Sequence, residues 1–272
     1  MVINHNINAL NAHRNSALNT TATGKSMEKL SSGLRINRAA DDAAGLAISE
    51  KMRGQIKGLT QAQRNAQDGI SYIQTMEGAL NEVSDMLTRA KELITEAKNG
   101  TYNSTQVSNI SDELGKLSAE INNIVENTKF NGITMGKTVT IQIGDEDSRT
   151  MDISADSTAI NNLKNLGTTK LSASVGTDGK YAGTQLSKVE SLIDNANKVR
   201  SDFGALQNRL EHTSNNLGTT VENLTSSESR IRDTDMASEM AKFSSKNIIT
   251  QASQAMLSQA NQLQQNVLSL LR

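Results

Sequence analysis

The sequence predicts a mainly α protein, a long antiparallel helical bundle or coiled coil built from both termini, with a small central β-hairpin region. Three observations carry that reading. The 272 residues contain no proline, where average usage would give roughly 14, so helices can run on without kinks. Aromatic residues are 2% of the chain and tryptophan is absent, which leaves aliphatics, alanine and methionine to pack thin bundles. Apolar residues also recur at alternating spacings of three and four over most of the chain, the period of a helix with one buried stripe.

The elements follow in chain order. Ile3, Ile7, Leu10, Ala17, Met27, Leu30 and Leu34 keep a loose helical spacing among Asn, His, Ser and Lys. The clearest period runs through Ile73, Met76, Leu80, Val83, Leu87, Ala90, Ile94 and Ala97. It predicts a helix that begins near Ala43 or Ala44 and ends at Gly100, a residue suited to the left-handed position after the last turn. At 1.5 Å per residue such a helix is roughly 80 Å long.

A second helix, capped by Ser104 or Thr105, carries Val107, Ile110, Leu114, Leu117, Ile121 and Ile124. Its short connection predicts an antiparallel return that ends before Asn131-Gly132. Over 138–153 the period changes to two, with Val139, Ile141 and Ile143, then a turn-rich Gly144 to Ser148, then Met151 and Ile153, which is a β-hairpin signal. Residues 154–184 are rich in Ser, Thr, Asn and Gly and are read as an exposed tip or loop. Helical period resumes at Leu186 and continues through Leu224, with Ser187 and Glu190 placed like a capping box.

The last 24 residues hold Ile249, Ala252, Met256, Ala260, Leu263, Val267 and Leu270, spaced by threes and fours on a stretch almost free of charge. That is the period of a coiled-coil seam, so the stripe needs a partner on this chain or on a neighbour. Two amphipathic ends imply that the termini meet, giving 1–43 with 233–272 as inner terminal helices and 44–232 as an outer helical domain. Seven seam side chains contribute on the order of 10 kcal/mol gross, while ordering ~25 residues costs at least as much at ~1 to 2 kcal/mol apiece. Frayed ends in the free subunit, and helices only in an assembly, are therefore expected.

Composition excludes several function classes. Net charge is −1, with 28 basic and 29 acidic residues, so no global field recruits nucleic acid or an anionic membrane. There is no cysteine, hence no disulfide, thiolate nucleophile or cysteine metal site. The N-terminus has no apolar run of signal-peptide type, and no stretch nears the ~20 apolar residues of a membrane span. The histidines are His5, His13 and His212, none at ligand spacing, so no metal or other cofactor is expected. Asp41-Asp42 has no accompanying nucleophile, and no glycine-rich phosphate loop is present, so an enzyme is not expected.

MEKLSSGLRINRAADDAAGLAISEKMRGQI at 27–56 and SRIRDTDMASEMAKFSSKNIITQASQAMLSQANQLQQNVLSLLR at 229–272 resemble bacterial flagellin, of the short type that lacks large outer domains. The resemblance covers roughly the first 130 residues, through KFNG at 129–132, and about 85 from Leu186. It implies a structural, motility-related subunit of an extracellular helical filament, with an inner coiled-coil layer from both termini and an outer layer of long helices plus the hairpin. It also implies export, unfolded, by the flagellar type III route. A hook-filament junction protein or another flagellin-like secreted protein is the alternative; it would share the terminal helices but form only a short ring.

In that light Ile3, Ile7, Leu10, Leu30, Leu34, Ile249, Met256, Leu263, Val267 and Leu270 are the candidate polymerisation seam. Arg89, Glu92 and Leu93, with Glu113 on the next helix, match the surface of relatives that a Toll-like receptor recognises. Leu93 lies off the main stripe and is expected outside the buried seam. Val267, Leu268, Leu270, Leu271 and Arg272 match the segment that inflammasome receptors and the export chaperone engage in relatives. The implied partners are further copies of the chain, filament cap and hook-junction proteins, that chaperone and those host receptors, with no nucleic acid and no membrane. The mixed charges of RINRAADD (35–42) and RIRDTD (230–235) are read as solvated elbows, the alternative being ion pairs between subunits that set filament register. The Ser and Thr of 154–184 could carry O-linked sugars, as in several flagellins.

Overall fold

The computed structural model of the chain describes residues 6–154, 156–166 and 185–270, and the side chains of all of these except 264 and 267–270. Among the described residues six helices and four short strands follow in order: α1 Ile7–Ser32, α2 Ala43–Ala97, α3 Ser104–Asn127, β1 Lys129–Phe130, β2 Ile133–Thr134, β3 Val139–Gln142, β4 Thr150–Ile153, α4 Ser157–Lys164, α5 Gln185–Arg232 and α6 Met236–Leu270. The mainly α class is observed. Two units divide the chain, one of Met1–Ile56 with Glu222–Arg272, the other of Lys57–Val221, and α2 and α5 contribute residues to both.

The second unit holds the large core. The predicted α2 stripe is buried throughout, and it packs with Val107, Ile110, Leu114 and Ile121 of α3 and with Val189, Leu192, Val199 and Phe203 of α5. A helix gripped by two neighbours needs more than one stripe. Ala79, Met86 and Leu93, seven residues apart, widen the apolar face beside the first, and Leu93 is only 2% exposed. The expectation that Leu93 stands outside the buried seam is therefore corrected: the single-stripe reading was too narrow for a helix with two partners.

Several caps also differ from expectation. Asn103, not Ser104 or Thr105, caps α3, its side chain accepting from the Gln106 N–H at 2.8 Å while Gln106 accepts from the Asn103 N–H at 3.0 Å, a reciprocal capping box. Gly100 does not adopt the left-handed conformation; the helix stops at Ala97 and a turn follows. Ser187 lies inside α5 rather than at its cap, and Glu190 instead meets Lys91 at 3.1 Å.

The β3–β4 hairpin pairs antiparallel, Val139 with Ile153 and Ile141 with Met151, burying Ile141, Met151 and Ile153 on one face. A smaller hairpin, β1–β2, sits where only a helix end was expected. Its two-residue turn is Asn131-Gly132, with φ of 48° and 80°, the conformation that Asn-Gly favours. Within the stretch read as loop, residues 157–164 are the helix α4. Asp156 caps it and Ala159, Ile160 and Leu163 are buried in the core; eight residues are too few for a period to stand out among Ser and Asn. The remainder of that stretch, 167–184, lies outside the described residues.

Candidate assembly face

The first unit contrasts with this core. Here α1 starts because the Asn6 side chain accepts from the Ala9 N–H at 2.9 Å, and it ends at Gly33, whose φ of 71° suits a left-handed cap. Asp235 starts α6 by accepting from the N–H groups of Ala237 and Ser238. The helices expected only in an assembly are thus already formed and paired in the single chain.

Two contacts fix the pairing as antiparallel. Asn6 Nδ2 donates to the Ala260 carbonyl at 3.0 Å, and the Ser26 hydroxyl donates to Glu239. That register brings Ala12 to the level of Ser253 and Ser16 to that of Thr250. The joined face of α1 is small or polar, Ala9, Ala12, Ser16, Asn19, Thr23 and Ser26; on α6 it is mixed, Glu239, Lys246, Thr250, Ser253 and Ala260 with the larger apolar Phe243 and Leu257. Glu239 is buried among them, and the Ser26 hydroxyl, then Lys242, hold its carboxyl below the usual range.

The predicted stripe is therefore not what joins the termini. Ile7, Leu10 and Leu18 of α1 and Ile248, Ile249, Met256 and Leu263 of α6 face outward and are exposed, with Leu10 and Met256 each 64% exposed. Beside the seam Ile249, Ala252, Met256 and Leu263 line a shallow open groove with Asn8, Asn11 and Asn15 of α1 on its other wall. Two spacings of threes and fours interleave on α6. The one that joins α1 could have been found by following Phe243, Thr250, Leu257 and Ala260, but its Ser, Thr and Lys members hid it from an apolar search. Leu30 is half-buried on α1. Leu34 is not helical; it lies past the cap, in a bridge with Asp233. Ile3, Leu271 and Arg272 lie outside the described residues, as do the side chains of Val267, Leu268 and Leu270.

That bridge adds to the reading of the two charged segments as elbows: most of their charges are exposed, Arg232 excepted, and the segments close on each other within the chain. The Arg35 N–H donates to the Arg232 carbonyl at 2.6 Å and the Thr234 N–H to the Gly33 carbonyl at 3.0 Å, while the Arg35 guanidinium reaches the Ile231 carbonyl. Arg232, its side chain 10% exposed, pairs with Glu50 of α2 and pulls that carboxyl below its usual range. Asp41 accepts from the N–H group of Arg38 and then that of Asn37, which lower its pKa. Asp42 accepts from the Gly45 N–H at the start of α2. Sequence periodicity carries no signal for such a clasp, because backbone groups make most of it.

In the second unit Arg89 donates to Glu92 at 3.1 Å and to Glu113 of α3 at 3.3 Å, and the two carboxylates raise its pKa. All three are exposed and so form a surface cluster, whereas Leu93 beside them is buried. Surface pairs of this kind contribute little to stability. Among the described residues no cluster of three or more His, Asp or Glu has metal-ligand geometry, and no helix is long and apolar enough to cross a membrane.

Similarity to known proteins extends over most of the chain. Residues 3–136 match the bacterial flagellin N-terminal helical region, and residues 186–271 the bacterial flagellin C-terminal helical region. Over the full length of both chains the sequence is 48% identical to a flagellin of Halalkalibacterium halodurans and 47% identical to a flagellin of Bacillus subtilis. It is 42% identical, again over both full lengths, to the flagellar filament 31.3 kDa core protein of Treponema maltophilum. Among solved structures a Bacillus cereus flagellin is similar at 32% identity and a TM-score of 0.45, covering 57% of this chain and 88% of that one. The two matched helical regions and the full-length identity to flagellins place the chain in the bacterial flagellin family, the structural subunits of the flagellar filament.

Proposed function

We propose that copies of this chain associate through the outward faces of α1 and α6, each copy's Ile7, Leu10, Ile249, Met256 and Leu263 being covered by its neighbours. The observation that supports this is the division of labour on α1 and α6. Inward-facing side chains are mostly small or polar, Phe243 and Leu257 apart, whereas Ile7, Leu10, Leu18, Ile248, Ile249, Met256 and Leu263 remain in water, more exposed apolar surface than a helix pair meant to stand alone would keep. Val267 and Leu270 extend the α6 stripe by the same spacing. Growth is then driven mainly by apolar burial, and a chain without disulfides, with lightly held terminal helices, suits unfolded export by the flagellar type III route to an extracellular filament.

The finer partners form part of the same proposal. Cap and hook-junction proteins would meet the two ends of the filament, and the export chaperone would take Val267 to Arg272. Inflammasome receptors would take the same segment, Val267, Leu268, Leu270, Leu271 and Arg272. The Arg89, Glu92 and Glu113 cluster is the candidate Toll-like receptor surface, supported by its exposure; Leu93 is dropped from it because that side chain is buried. Negative-stain microscopy of purified protein across concentration and salt tests the central part. Long filaments are expected, and their absence in every condition would refute it.

A further inference from the structure

The chain contains neither cysteine nor tryptophan but ten methionines, so thioethers are its most readily oxidised side chains. Their distribution is uneven. Met76, Met135 and Met151, in the second unit, are buried. Met27, Met236, Met240 and Met256, in the first, are between 47% and 64% exposed.

Position gives that split a consequence. Met256 lies on the outward stripe beside Ala252 and Leu263. Because Ser26 meets Glu239, its neighbour Met27 stands at the level of Met236 and Met240, which are one turn apart on α6. The terminal helix pair thus presents soft, unbranched thioethers at two levels, three at one and one at the other. Such side chains adapt well to a partner surface.

We infer that Met27, Met236, Met240 and Met256 are methionine sulfoxidation sites, and that a peroxide-class oxidant acting on the free subunit at these four sites blocks its assembly. The inference rests on the assembly face proposed above. In each event the thioether sulfur attacks one peroxide oxygen and forms an S=O bond as the O–O bond breaks. Sulfur is oxidised by two electrons, and hydrogen peroxide is reduced to water. The product is a polar, chiral sulfoxide where the assembly buries an apolar chain. Without a hydrogen-bonding partner its burial is unfavourable, raising the critical concentration about tenfold for each sulfoxide placed against a neighbour. Once assembled, covered thioethers are shielded, so the subunit is the vulnerable form.

The test treats purified free subunit with hydrogen peroxide, maps oxygen addition by peptide mass spectrometry and measures sedimentable polymer before and after. Sulfoxide is expected at the four exposed positions before Met76, Met135 or Met151, together with a rise in critical concentration of about tenfold or more that methionine sulfoxide reductases reverse. The Met27→Leu, Met236→Leu, Met240→Leu, Met256→Leu variant is expected to polymerise after the same treatment. Should the quadruple variant fail to fold, reversal by the reductases on unsubstituted protein remains decisive. Equal oxidation of buried and exposed methionines, or unchanged polymerisation despite four sulfoxides, would overturn the inference. Untreated protein that never polymerises would instead overturn the assembly face, while the oxidation map would still show whether the four sites are selected.

Discussion

Leu10→Ala separates stability of the subunit from stability of the polymer. Full burial of a leucine is worth ~1.5 to 3 kcal/mol, and Leu10 is still 64% exposed in the single chain. About two thirds of that burial, or ~1 to 2 kcal/mol, therefore remains to be gained when a neighbour covers it. At about 1.4 kcal/mol per factor of ten, the substitution should raise the critical concentration ~5- to 30-fold. The free subunit should scarcely notice, since alanine is at least as good a helix former and an exposed change stays within about 0.5 kcal/mol. Leu80→Ala is the control. Leu80 is 0% exposed in the second unit, so its truncation costs ~2.7 to 5 kcal/mol and lowers that unit's melting temperature by roughly 5 to 20 °C. Sedimentation after seeded growth gives the first quantity, and calorimetry of the unpolymerised protein the second. A critical concentration within about twofold of the unsubstituted value, or a subunit that melts as early as the Leu80→Ala control, would refute the reasoning.

Other expectations follow from single contacts. Arg232→Met keeps an unbranched chain but removes the guanidinium that holds Glu50; amide exchange at 33–36 and 231–235 should then accelerate about tenfold or more, and unchanged exchange would mean the clasp does not depend on it. Asp156 has its pKa lowered to about 2, chiefly by the Lys198 ammonium at 2.6 Å and then by the N–H groups of Thr158 and Ala159. A depressed folded pKa adds stability above the usual 3.8 that disappears as pH falls toward about 2. Asp156→Asn should thus melt earlier than the unsubstituted protein at neutral pH, and the gap should close at pH 2; a gap that persists there contradicts the assignment. A methyl group at Gly69 would run into Ile141 Cδ1, where α2 approaches β3 closely. For Gly69→Ala an overpacking cost of ~1 to 3 kcal/mol is offset by ~1 kcal/mol of helix propensity, so the net loss should stay below ~2 kcal/mol, with Ile141→Val removing it in a denaturant titration; a loss that Ile141→Val leaves unchanged would contradict the assignment.

Legibility in the sequence followed the strength of each local signal. The eight-residue stripe from Ile73 to Ala97 and the alternation of Val139, Ile141 and Ile143 led directly to α2 and β3, because burial on one face imposes a period on the residues that are buried. Leu93 was misplaced since a helix between two neighbours buries two adjoining stripes, and spacing alone reports the stronger one. The α1–α6 seam was missed for the opposite reason. Close approach of two helices calls for Ala and Ser, which carry little hydrophobic signal, while the large residues nearby serve a surface that one chain does not cover. Clasp contacts such as Arg35 N–H to the Arg232 carbonyl depend on backbone groups common to all residues, whereas the Asn103 cap rests on the Asn103 and Gln106 side chains, a spacing that was present in the sequence and passed over. The outward stripe itself was visible from sequence; only its partner was open.

Amide hydrogen exchange on free subunit and on polymer measures that partnership most directly. In the subunit, amides from Ile7 to Leu18 and from Ile248 to Leu263 should exchange quickly, because a two-helix seam with few buried apolar contacts opens readily; those of Leu80, Leu114 and Phe203 should be slow. On polymerisation the first group should become protected while the second changes little. Terminal helices already as protected in the subunit as in the polymer would contradict the claim that their outward faces are buried between copies.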